Sequence, residues 1–224
     1  MTSITSTLPT PGVLHGGAIQ IQIDSAVDSL IALLPDPKRL TAAERRGIIA
    51  RYSAVLEGNF IYWMTGALLS VKSEDAQAII RENLHEEVRD CHPGMLRRFC
   101  ISAHAVPTDS DAMALYRELS EVRRFVGRLS GVPTVVMMAF FEGFIQKFMG
   151  FLAQLAAEQG STEQEYTDVH GVCDIAHTQE LFRALEAETA LNPPPAGTNL
   201  FEGVDLLTAL IRGILTEARV PQGA

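Results

Sequence analysis

The chain has 224 residues, 47% of them hydrophobic and 20% charged, enough to bury one substantial core. Its formal net charge of −9 argues against a nucleic-acid partner, which calls for a basic stripe. Three cysteines, Cys91, Cys100 and Cys173, are odd in number and form no CxxC pair, which argues against a disulfide framework and fits a cytoplasmic, reducing location. Residues 1–17 carry no basic segment followed by an apolar run, so no signal peptide is expected. The expected organisation is a flexible polar tail over residues 1–20 and a single domain over 21–224.

From the N-terminus, the chain reads as helices separated by short breaks. Asp24 is placed to cap a first helix with Ala26, Leu30, Leu33 and Leu34 on its apolar face, ended by Pro35-Asp-Pro37. Thr41-Ala-Ala-Glu44 is a capping-box pattern. It starts a helix running to about Lys72, long enough that a kink near Gly58 or Gly66 is expected. A third helix begins at Ser73 or Glu74, carries Ala78, Ile79 and Leu84 on one face, and stops by His92, because the residue before a proline is pushed out of the α region. Pro93 opens the next helix, with His92 near its N-cap. Residues 107–111 read as a turn, and 112–129 as an amphipathic helix with Leu115, Leu119, Val122 and Val126 inward. After a break at 130–133, residues 134–158 are strongly apolar, 162–191 form one long helix, 192–197 a stiff linker and 203–218 a last helix. No period-2 run or repeat interrupts this pattern, so the expected fold is an all-α bundle.

Two apolar segments each carry one anomaly. Between Tyr52 and Val71 the only acid or base, tyrosines aside, is Glu57, and between Leu129 and Gln146 it is Glu142. A buried carboxylate costs several kcal/mol unless it is paired, protonated or bound to metal. A transmembrane reading is weak, because Asn59, Thr65, Ser70 and several glycines interrupt the first segment and Glu142 sits within the second. The stretch from Arg81 to Pro93 is rich in acid and imidazole. Glu82, Glu86 and Glu87 are alternative carboxylate ligands there, and His92 is the better imidazole. Glu82-Asn-Leu-His85 matches an ExxH pair, but it occurs once.

The densest pattern is His170, Asp174 and His177, spaced i, i+4 and i+7. That spacing keeps three side chains within roughly 60° on one helix face. The small residues between them, Gly171, Val172, Cys173 and Ala176, leave room for another helix to approach. Two imidazoles and a carboxylate on one stripe suit a first-row transition metal, iron or manganese, in preference to a thiolate-selecting site. Gathering Glu57, one of Glu82, Glu86 and Glu87, Glu142 and Asp174 beside neutral imidazoles would concentrate four negative charges that resist joint ionisation, and two divalent ions would cancel them.

In their order these residues resemble the haem-oxygenase-like diiron oxidases and oxygenases. The resembling parts are the lone Glu57, Asn83-Leu-His-Glu-Glu87 followed by His92-Pro93, the lone Glu142, and His170-x3-Asp174-x2-His177. The likeness spans about residues 50 to 180, with a shorter segment between Glu87 and His92 than many members have. It implies a seven-helix haem-oxygenase-like bundle without haem, with Glu57, Glu87, His92, Glu142, His170, Asp174 and His177 as metal ligands and no catalytic residue beyond them. It further implies two Fe(II)/Fe(III) ions, O2 as co-substrate and an external electron donor, either a reductase or a small reductant. The implied activity is a non-haem diiron oxygenase of specialised-metabolite biosynthesis, with N-oxygenation of a small amine or amino-acid-like substrate favoured. Oxidative cleavage or desaturation of an amino or fatty acid is the runner-up. Neither nucleic acid nor membrane is an expected partner, and a homodimer is an option. Candidate pocket walls are Phe60, Trp63, Met64, Met138, Phe141 and Ile145, although ordinary core accounts for most of them.

Competing readings are weaker. Haem oxygenase uses a proximal His on an early helix, whereas these histidines lie mid-chain and late. A thiaminase-like hydrolase needs a reactive Cys, and a buried Cys is more often a small hydrophobe. A zinc site from Cys91, His92, His170 and Cys173 lacks paired-Cys spacing. The non-enzymatic alternative is a helical binding module with acidic surface patches.

Overall fold

A computed structural model describes residues 16–56 and 58–216. Glu57 and the ends of the chain lie outside the described residues. The helices run α1 Gly16–Ile31, α2 Ala42–Leu56, α3 Asn59–Ser70, α4 Glu74–Arg89, α5 His92–Ser102, α6 Asp109–Met113, α7 Tyr116–Val126, α8 Val132–Ala157, α9 Glu165–Leu191 and α10 Glu202–Leu215. A single 3-10 turn, Pro37–Arg39, joins α1 to α2. Among the described residues there is no strand, and the architecture is all-α.

The bundle is built around α8. This helix is apolar on nearly every face, as a helix enclosed by others must be. It packs most extensively along α9, and α1, α2, α3 and α10 cover the rest of it. Among the described residues, α8 alone is long and apolar enough to cross a membrane, and 78% of its apolar window is buried inside the protein. Gly131 takes φ 56°, ψ −114° immediately before it, with a proline in the first turn of the helix. That backbone region is open essentially to glycine alone, so the sharp entry into α8 is written in Gly131-Val-Pro133.

Several boundaries differ from the sequence expectation, each for a local reason. The first helix starts at Gly16, inside the expected tail, because Ile19 (1% exposed), Ile23, Val27 and Leu30 form its buried stripe. Leu33 lies beyond the helix and is exposed, and Asp24 is an exposed mid-helix residue, not a cap. The expected long second helix divides at Gly58, which adopts φ 77°. Asn59 repairs the break. Its amide Nδ2 donates to the Val55 carbonyl at 2.7 Å, and its Oδ1 accepts from Arg123 Nε at 2.9 Å. The expected turn over 107–111 is partly helical. Thr108 and Asp111 form a capping box, and Arg46 grips Asp111 with two hydrogen bonds of 3.1 and 2.9 Å. This box starts α6 early, so the chain must restart as α7 at Tyr116 and ends at Val126, inside the expected 112–129 span. The inward face of α4 is Ala76, Ile80, Asn83 and Glu87, while Ala78 is exposed.

Gly66 marks the tightest crossing of α3 and α7. A Cβ placed there would sit 2.3 Å from Val126 Cγ1. The β-branched Val126 is stiff about χ1 and cannot swing clear cheaply. Gly66→Ala is therefore expected to destabilise the protein by about 1–3 kcal/mol, read as a lower urea midpoint at unchanged slope. An unchanged midpoint would show that the crossing relaxes freely.

Candidate metal centre

Four helices deliver the polar side chains to one buried region. On α4 the series Ala76, Ile80, Asn83, Glu87 follows i, i+4, i+7, i+11, so the residues that seat the helix on the core also turn Glu87 inward. Cys91 adopts the left-handed conformation (φ 58°, ψ 40°) between α4 and α5. That bend returns the chain at once, placing His92 on the first turn of α5 and buried. Glu142 comes from the middle of α8, and His170, Asp174 and His177 come from one face of α9.

The nearest donor atoms fall into two groups. Those of Glu87, His92 and His170 lie within 4.8 Å of one another, and so do those of Cys173, Asp174 and His177. His92 Nδ1 stands 2.9 Å from Glu87 Oε1, without the alignment of a hydrogen bond. The His92 and His170 rings meet edge to face at 4.5 Å. His170 Nδ1 donates to the Tyr166 carbonyl at 2.8 Å, which leaves its Nε2 as the free lone pair. His177 Nε2 donates to Glu86 Oε2 at 2.9 Å, and its Nδ1 lies 3.8 Å from Asp174 Oδ1.

Glu142 lines the same cavity as Glu87, His92, His170 and Asp174, a space of about 40 Å³, enough for a few water-sized species. The apolar walls include Leu56, Phe60, Ile61, Leu96, Phe141 and Ile145, and Tyr166 closes one side. Trp63, Met64 and Met138 are buried core outside the lining. Among the described residues that line the cavity, none is lysine or arginine.

The electrostatics are those of a site short of positive charge. Burial, with the charges of Asp174 and Glu87 added, pushes the Glu142 carboxyl far above its ordinary range. Burial drives Asp174 up to about 8, against the Cys173 hydrogen bond that lowers it. Burial also holds the His170 imidazole down at about 4, so it is a neutral donor. At His92 burial pulls downward but the adjacent Glu87 outweighs it, and the imidazole stays above its ordinary value. Glu142 Oε1, Asp174 Oδ2 and His177 Nδ1 are buried with no hydrogen-bond partner among the described residues. Native proteins rarely leave such atoms orphaned unless a cation or water completes them. Carboxylate and imidazole atoms with unused lone pairs in a cavity lined by no lysine or arginine fit a divalent metal.

Glu87, His92, Glu142, His170 and Asp174 thus share one cavity, and His177 stands behind Asp174. Glu57 belongs to the undescribed residues, although its neighbours Leu56 and Gly58 border the cavity. Of the alternative α4 acids, Glu82 is exposed together with His85, whereas Glu86 is half-buried and bonds His177. The four-residue zinc grouping is not assembled, because Cys91 is exposed and Cys173 belongs with Asp174 and His177. Val172 and Ala176 face solvent, so no helix docks on them as their size suggests. Sequence reasoning missed Tyr166, whose hydroxyl pairs with that of Tyr52 at 2.8 Å beneath His170. Asn83, which the sequence placed in the resembling motif without a role, has a buried amide with no hydrogen-bond partner among the described residues. Tyr166 stands one turn before His170 on the buried α9 face, so extending the His170, Asp174, His177 stripe by four residues would have found it, whereas Tyr52 carries no such marker in the sequence. Comparison of the chain with protein-family models, with curated proteins and with solved structures yields no match.

Proposed function

We propose that this cluster is a dinuclear non-haem iron centre on a haem-oxygenase-like helical bundle. The chain would then be an O2-dependent oxygenase that converts a small amine to its hydroxylamine or nitro product in specialised-metabolite biosynthesis. The observation that carries the reading is the pair of buried carboxylates, Glu142 at 2% and Asp174 at 1% exposure, each with an unpartnered oxygen beside imidazole donors. Glu87, His92 and His170 would hold one ion, and Asp174 and His177 the other, with Glu142 beside both. When bound, the irons would supply O2 binding and reduction. The first oxygenation balances as amine, O2, two electrons and two protons giving hydroxylamine and water, with electrons from a reductase or small reductant.

The chain's own residues set what enters. Phe60, Leu96, Phe141 and Ile145 keep bulk water from the donors, and the Tyr166 carbonyl fixes the His170 tautomer. A cavity lined by acids without lysine or arginine offers a free fatty acid no counter-charge, whereas an amine meets carboxylates and apolar walls.

Anaerobic Fe(II) loading is expected to give about two irons per chain and a transient visible absorption on mixing with O2. His170→Ala is expected to lower iron content and abolish that transient while circular dichroism stays helical. Bound zinc with no O2 consumption, or no metal at all, would overturn the reading. With amines supplied, products heavier by oxygen on nitrogen support N-oxygenation; a shortened alkene or released carbonyl fragment would replace it with oxidative cleavage.

A further inference from the structure

The α9 stripe holds one donor that a nitrogen and oxygen centre does not use. Cys173 and His177 are spaced i, i+4 with Asp174 between them, so all three side chains issue from little more than one turn. Cys173 Sγ donates to Asp174 Oδ1 at 3.1 Å, and the same oxygen lies 3.8 Å from His177 Nδ1. Bond lengths of roughly 2.0–2.3 Å in a tetrahedral site put donor atoms ~3.3–3.7 Å apart, so these separations approach those of a formed site. Two further observations point to a ligand. Asp174 Oδ2 and His177 Nδ1 are unpartnered, on residues only 1% and 3% exposed. Glu86 Oε2 takes the Nε2 proton of His177 at 2.9 Å, which turns the Nδ1 lone pair toward Asp174 and fixes the imidazole as a carboxylate does behind a metal-bound histidine.

We propose, resting on the metal-centre reading above, that Cys173, Asp174 and His177 form a thiolate-containing subsite for a borderline-soft divalent cation, with Glu86 as the positioning residue of His177. The cation takes the place of the thiol proton now shared with Asp174, and that proton leaves to solvent. The two subsites are then inequivalent. Glu87, His92 and His170 offer only nitrogen and oxygen, while the second offers sulfur, which raises its preference for cobalt, zinc or ferrous iron over manganese or magnesium. An ordinary packing role for Cys173 accounts less well for its geometry, because Sγ is aimed at a carboxylate oxygen and not at the apolar core.

Titration of the metal-free protein with Co(II) under argon tests this. The expected result is a near-ultraviolet sulfur-to-cobalt charge-transfer band that saturates with the first cobalt bound. The band is lost in Cys173→Ser and kept in Cys91→Ser. Glu86→Gln is expected to weaken cobalt binding by about 10–100-fold while the band returns at saturation. X-ray absorption of the wild-type cobalt protein gives a second readout that needs no variant, with a sulfur scatterer expected at roughly 2.3 Å. Cobalt bound with neither band nor sulfur scatterer overturns the thiolate subsite and leaves the dinuclear reading standing. No cobalt bound overturns both.

Discussion

Glu188→Ala is expected to lower the unfolding free energy by about 3–5 kcal/mol. Glu188 lies on α9 and is fully buried, at 0% exposure. Its Oε2 accepts the backbone N–H groups of Lys72 and Ser73 at 2.7 and 2.8 Å, and its Oε1 accepts from Asn192 Nδ2 at 3.0 Å. Ser73 is the N-cap of α4, so its N–H is one that a helix start leaves free, Lys72 lies one residue before it, and the Ser73 side chain accepts from Ala76 N. A carboxylate at that point also meets the positive end of the α4 dipole. Removing it orphans the buried Ser73 N–H, at roughly 1–3 kcal/mol, and leaves the part-buried Lys72 N–H and Asn192 amide without their acceptor at about 1 kcal/mol each. Glu188→Gln keeps one accepting oxygen for Lys72 and Ser73, so its cost should be about 1–2 kcal/mol. Urea unfolding of both variants measures the difference, and a loss below about 1 kcal/mol for Glu188→Ala would mean that water replaces the carboxylate without penalty.

The same contact explains why a structural residue bears on the centre. Glu188 pins the start of α4 to α9, and one end of that clamped pair carries Glu86 and Glu87 against His177 and His170. No sequence pattern announces it. Glu188 sits beside Glu186 on an acid-rich helix, and its partners are backbone amides more than a hundred residues away in the chain. Legible features are those carried by local periodicity or by violation of it. His170, Asp174 and His177 stand out because they repeat on one helix face, and Glu142 because it is the single charge in an apolar run. Gly58 marks the α2–α3 break for the same local reason. The choice between Glu86 and Glu87 is not local. Adjacent acids point about 100° apart on a helix, and which one faces the core depends on how α4 lies on α9. Asn83, a polar residue on the buried stripe, conceals the face that would have decided it. Thr108-x-x-Asp111 and Cys173-x3-His177 are visible spacings whose meaning emerges only once Arg46 and Glu86 are brought against them from other helices.

The metal-free protein is expected to lose stability as pH rises, most steeply between about 6.5 and 8, the reverse of the usual behaviour of buried acids paired with cations. Asp174 moves from an ordinary value of 3.8 to about 8 through burial, and Glu142 is raised likewise. A carboxyl whose folded value lies above its unfolded one holds its proton more tightly when folded, so its contribution is full below the unfolded value and is lost as pH climbs to the folded one. His170 acts oppositely. Burial lowers it from 6.5 to about 4, so between those values the unfolded chain binds the extra proton and stability rises with pH. His170 therefore offsets one carboxyl below pH 6.5 and ceases to do so above it. His92, held above its ordinary value despite burial, adds to the loss there. With two carboxyls each contributing about 1.4 kcal/mol per pH unit, the decline should approach roughly 2–3 kcal/mol per pH unit. A bound divalent cation reverses the sign, because it competes with these same protons and binds more tightly as they leave. Denaturant midpoints measured across this range with chelator, and again with Fe(II) under argon, should diverge as pH increases. In Glu142→Gln the chelated protein should be more stable than wild type at pH 8 and bind less iron. A metal-free stability that is flat or rising over the same interval would remove the buried, uncompensated carboxyls on which the metal centre rests.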